Sequence, residues 1–84
     1  MSNLTQRAYL FHTDPGHGWL QVPLSEVEQL HIEVSRYSYR DDKFAYLEED
    51  CDAPKFMKAM GDDGVIYIEK HTDNESFIRN LDQY

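Results

Sequence analysis

Residues 8–22 read AYLFHTDPGHGWLQV, two apolar runs separated by a cluster of turn-forming residues. In the first run Tyr9 and Phe11 alternate with Ala8 and Leu10, and Asp14-Pro15-Gly16-His17-Gly18 then breaks the alternation. Trp19 to Val22 resumes extended character and Pro23 stops it. The pattern predicts a β-hairpin with a five-residue connection, in which Pro15 presets φ while Gly16 and Gly18 supply positive φ.

Outward from the hairpin, Ser25 and Glu28 have capping-box spacing with Leu24 at the staple position, predicting a short helix to about His31 with Val27, Leu30 and Ile32 inward. Val34 to Tyr39 turns to period two with Tyr37 and Tyr39 on one face. Arg40-Asp41-Asp42-Lys43 is the next turn and Phe44 to Leu47 the partner strand, so a second hairpin is expected. Asp52 then caps a helix with Pro54 in its first turn and Phe56, Met57 and Met60 as its apolar stripe, ended by Gly61. Val65 to Ile68 is apolar on both faces and reads as a central strand. Asp73 or Asn74 caps a last helix whose face is Phe77, Ile78, Leu81 and Tyr84. The expected order is ββαββαβα. This is an α+β fold, a mostly antiparallel sheet of about five strands with short helices on one face, forming a single domain over residues 1–84.

The chain has 84 residues and a formal charge of -8, from 16 Asp plus Glu against 8 Lys plus Arg, which excludes a conventional phosphate-gripping surface. At 13% aromatic residues there is enough apolar mass for a core. The single cysteine, Cys51, precludes an intramolecular disulfide and the usual cysteine-rich zinc sites. Residues 1–7 contain no apolar signal core and no run approaches membrane-spanning length, so a reducing, cytoplasmic setting is expected.

No nucleotide-binding glycine pattern, P-loop or nucleophile motif occurs, and no cofactor is implied. His12, Asp14 and His17 surround one turn and could in principle hold a metal or act as acid and base, with Glu48 to Asp52 completing such a site. The simpler reading of Asp14 is an Asx-turn, and no metal ligand is assigned. Cys51 lies among Glu48, Glu49, Asp50 and Asp52, a field that raises a thiol pKa and disfavours a thiolate nucleophile. That run lacks the glycine and spacing of a calcium loop. From residue 41 to 63 there are eight acids, Asp41, Asp42, Glu48, Glu49, Asp50, Asp52, Asp62 and Asp63, against Lys43, Lys55 and Lys58, a net -5. Carboxylates displayed over such a span can occupy a basic groove built for phosphates. These eight acids are the expected partner-binding residues, and Tyr37, Tyr39 and Tyr46 form an alternative aromatic face.

The blocks His12 to Leu20, Val22 to Leu24, Ser35 to Tyr39, Tyr46 to Asp52 and Ser76 to Arg79 resemble a family of small uncharacterised acidic proteins carried by proteobacteria, their phages and mobile elements. The resemblance implies a genomic setting and no catalytic residue. By analogy with small acidic phage inhibitors of anti-CRISPR and anti-restriction type, it suggests a protein that blocks a host nucleic-acid-handling or defence complex at a basic DNA-binding site, without touching nucleic acid or membrane itself. The alternatives are an enzyme built on the His12-Asp14-His17 turn and a self-associating regulatory module.

Overall fold

The computed structural model describes residues 7–61 and 64–84. The first hairpin forms as its pattern requires: β1 (Arg7–Thr13) pairs antiparallel with β2 (Gly18–Pro23), placing Leu10 opposite Gln21 and His12 opposite Trp19. Its connection is shorter than expected, because Gly18 already belongs to β2. Gly16 and Gly18 also lie outside the left-handed region. Space rather than φ selects glycine here. A Cβ on Gly16 would stand 3.1 Å from Arg79 Nη2, and one on Gly18 would stand 3.1 Å from Phe11 Cζ and 3.2 Å from Glu49 Oε2.

The remaining elements are α1 (Leu24–Gln29), β3 (Tyr39–Arg40), β4 (Phe44–Glu48), α2 (Ala53–Met60), β5 (Val65–His71), a 3-10 turn over Phe77–Asn80 and β6 (Asp82–Gln83). They make one α+β unit around a six-stranded sheet ordered β5-β1-β2-β4-β3-β6, antiparallel throughout except where β5 runs parallel to β1. Among the described residues no helix is long and apolar enough to cross a membrane.

Because opposed residues share a face, the register sorts the side chains into two cores. Tyr9, Leu20, Val22, Ala45 and Leu47 point to the side covered by α1 and α2, where Val27, Ala53 and Phe56 complete the larger core. Trp19 and Tyr46 point to the opposite side and are covered by Ile78 and Leu81 from the C-terminal segment. The two α-helices thus occupy one face as expected, while the last segment closes the other.

Several local expectations are corrected. β5 is an edge strand, not a central one: its Val65 and Tyr67 pack on the larger core, but Ile66 and Ile68 remain 40% and 48% exposed because, among the described residues, the C-terminal segment that closes this face packs on β2 and β4 and stops short of these two. α1 starts at Leu24 with Pro23 as N-cap, so Ser25 and Glu28 fall inside the helix and the capping box does not form. Val34 to Ser38 does not join β3, because Ser35 and Ser38 are drawn to the Asp52 carboxylate, a side-chain competitor of strand pairing. The C-terminal helix is a four-residue 3-10 turn capped by Ser76, not Asp73 or Asn74, and β6 then pairs with β3. Phe77 and Ile78 consequently diverge, the first exposed and the second fully buried. α2 begins and ends where expected, with Pro54 in the first turn and Gly61, at φ 74°, at its end. Asp52, however, only occupies the N-cap position, since its carboxylate is taken by Ser35, Ser38 and Lys55 and makes no capping bond.

Candidate functional site

The carboxylates divide by what they bond. Asp14 Oδ1 accepts from the amides of Gly16 (3.0 Å) and His17 (2.9 Å), and Oδ2 accepts from the amide of Ser76 (3.0 Å). Arg79 then clamps both oxygens, Nε to Oδ2 at 2.7 Å and Nη2 to Oδ1 at 3.0 Å. The Arg79 guanidinium, opposed by burial and aided by the three amides, holds the Asp14 carboxyl well below the usual carboxylate range. One side chain therefore forms the first turn and anchors the C-terminal segment.

Asp41, Glu48 and Asp52 are committed in the same way. Asp41 Oδ1 accepts from the amides of Lys43 and Phe44, and Oδ2 from the Tyr46 hydroxyl at 2.9 Å. Glu48 Oε1 takes the amides of Asp50 (2.8 Å) and Cys51 (2.9 Å). Asp52, with no exposed surface, accepts from the Ser35 amide and hydroxyl, the Ser38 hydroxyl and Lys55 Nζ. Burial alone would raise the Asp41 and Asp52 pKa values, yet their amide and hydroxyl donors hold both below the ordinary 3.8. Of the eight predicted partner-binding acids, Asp42, Glu49 and Asp50 stand exposed, Asp41, Glu48 and Asp52 serve the fold, and Asp62 and Asp63 lie outside the described residues.

The predicted histidine site does not assemble. His12 Nε2 bonds Gln21 Oε1 at 2.7 Å, whereas His17 stacks on Trp19 and receives Arg79 Nη2 at Nδ1, 3.2 Å away. Since arginine only donates, Nδ1 of His17 is the acceptor and its proton sits on Nε2. His12 and Glu48 share a face but flank Trp19 on its two neighbouring strands, about 10 Å apart across the sheet. Among the described residues no group of three or more His, Cys, Asp or Glu has the arrangement of a metal site. At Cys51, lost hydration and then the Glu48, Asp52 and Asp50 charges push the thiol pKa up, away from thiolate chemistry.

The bend that Glu48 makes also shapes a cavity of about 330 Å³ on the face away from the α-helices, walled by Trp19, Tyr37, Tyr39, His17 and Arg79 and bordered by Glu48, Asp50, Cys51 and Gln83. The register explains the convergence: Trp19 is opposite Glu48, and Tyr39 is opposite Gln83. Arg79 lies 5.3 Å over the Trp19 ring while Tyr39 meets that ring edge-on. Tyr37 is 57% exposed at the mouth. Of the predicted aromatic face, Tyr37 and Tyr39 belong to this cavity and Tyr46 is buried beside it. Trp19, Arg79 and Gln83 escape a sequence reading because each enters from a different strand or turn. The one available signal is the spare capacity of Asp14, a buried-turn acid that needs a cation.

No protein-family model matches the chain. Comparison with curated proteins and with solved structures likewise finds no match.

Proposed function

We propose that the protein is an acidic binding module that docks on the basic surface of a nucleic-acid-handling partner in the reducing cytoplasm. The observation carrying this reading is the bend after β4: Glu48 fixes the backbone amides of Asp50 and Cys51, so Asp50 is held at the mouth of an aromatic cavity, while Glu49 stands exposed on the other side of the same bend, its carboxylate toward Gly18 and Phe11. Asp42 extends the acidic surface from the turn before β4. The five-residue strand between them is about 17 Å long, equivalent to about five base-pair steps along a duplex. The overall charge of -8 adds a long-range field of the same sign. The resemblance to small acidic proteins of phages and mobile elements narrows the partner to a host defence or nucleic-acid complex whose DNA site would be occupied.

The test is capture of nucleic-acid-binding proteins from a proteobacterial lysate by the immobilised chain, compared with a Glu49→Lys, Asp50→Lys variant. The reading expects capture at low salt, loss of it in the variant, and retention of the fold. Equal capture by both chains would refute it.

Self-association is a second reading, favoured by β5, which no other strand among the described residues pairs on its outer side, with its half-exposed Ile66 and Ile68. It expects a dimer in sedimentation velocity that Ile68→Lys dissociates.

A further inference from the structure

We propose that the aromatic cavity beside the acidic bend receives one arginine side chain of the partner, an inference that rests on the docking reading above and names the group at its centre. Among the side chains bordering the cavity, Arg79 is electrically matched by its two-point clamp on Asp14, so its charge does not oppose a second cation in full. Glu48 and Asp50 then leave the lining with two carboxylates in excess, one of them offset by Arg36 over the Tyr37 ring at the mouth. Both Glu48 amide contacts fall on Oε1, and Oε2 takes neither of them.

The walls favour the same ligand. Tyr37 and Tyr39 present the accessible π-systems, while Trp19, 2% exposed between His17 and Arg79, forms the floor; arginines of the chain already stack on rings here, Arg79 over Trp19 at 5.3 Å and Arg36 over Tyr37 at 5.9 Å. A planar guanidinium can stack on such a wall while its fork meets a carboxylate, a combination a lysine ammonium cannot reproduce. The volume of about 330 Å³ lies at the lower end for ligand cavities, suited to one long side chain and too small for a folded peptide segment.

The chain contains a single tryptophan, and it is the floor of the cavity, so its indole N–H resonance reports occupancy directly. The probes are blocked pentapeptides at physiological salt: arginine between two pairs of lysines, the same peptide with citrulline at the centre, and the same with lysine. The arginine peptide should move the Trp19 resonance saturably and bind about fivefold or more tighter than either control, as expected for a stacked and paired guanidinium. Tyr37→Ala and Asp50→Asn, both exposed and outside either core, should each weaken it about threefold or more, while Glu28→Gln, exposed on α1 at the opposite face of the sheet, should leave it unchanged. Equal affinity for the three peptides, or no Trp19 response, overturns the proposal. If the peptides fail but Glu49→Lys, Asp50→Lys still abolishes partner capture, only the arginine assignment falls; if neither assay responds, the docking reading falls with it.

Discussion

At the scale of single residues, this acidic protein uses much of its acidity internally. Asp14, Asp41, Glu48 and Asp52 each accept two or more hydrogen bonds that build a turn or hold a loop. Removing a buried, charge-assisted acceptor strands its donors, so Asp52→Ala should cost about 3–5 kcal/mol in urea unfolding. Asp50→Asn, at an exposed position, should stay within about 0.5 kcal/mol. The pH dependence follows from the same bonds. Asp14, Asp41 and Asp52 have folded-state pKa values lowered from 3.8, so the folded state resists their protonation more than the unfolded chain does. Their stabilisation is complete above the unfolded value and is lost as pH falls through it toward the folded ones. The melting temperature should therefore drop steeply below about pH 4, and Asp14→Asn should flatten that drop. A melting temperature constant from pH 6 to pH 3 would contradict the assignment.

At the scale of elements, what could be read from the sequence depended on whether the deciding partner was close in the chain. The first hairpin, the Asp41 turn, and α2 with Pro54 and Gly61 at its ends are all specified locally, and all form near their expected places. β3 is short because Asp52, more than a dozen residues away, captures Ser35 and Ser38. The last segment is a 3-10 turn because Asp14, more than sixty residues away, takes Ser76 and Arg79. The cavity was hidden for the same reason, while its acidic border was visible as a charge run and Tyr37 and Tyr39 as an aromatic pair. The end of α1, by contrast, is closed locally, by a device the residue types do not announce. Ile32 N–H bonds Val27 C=O and His31 N–H bonds Glu28 C=O, a Schellman closure that places His31 at φ 55°. A left-handed non-glycine residue is strained, and His31 is exposed, so His31→Gly should raise stability by roughly 0.5–1 kcal/mol in thermal or urea unfolding. A loss of stability would mean that the histidine ring contributes contacts outweighing the strain.

At the scale of the molecule, the sheet separates two tasks. One face carries α1, α2 and the larger core; the other carries the Trp19 cluster, the C-terminal clamp and the cavity bordered by Glu48 and Asp50. The free acids Asp42, Glu49 and Asp50 thus stand on turns anchored by neighbouring carboxylates that the fold consumes, which keeps the charged surface rigid and lowers the ordering cost of docking. Association driven by such a surface should slow as salt rises, since the screening length falls to about 8 Å at 0.15 M ionic strength. The most direct measurement takes a captured partner complex and challenges it with duplex DNA while the dissociation of the acidic chain is followed. Occupation of a phosphate-binding surface predicts that duplex and protein exclude one another, with the apparent affinity of each falling in proportion to the concentration of the other. Simultaneous binding of both, with the protein's affinity unchanged by saturating duplex, would contradict it.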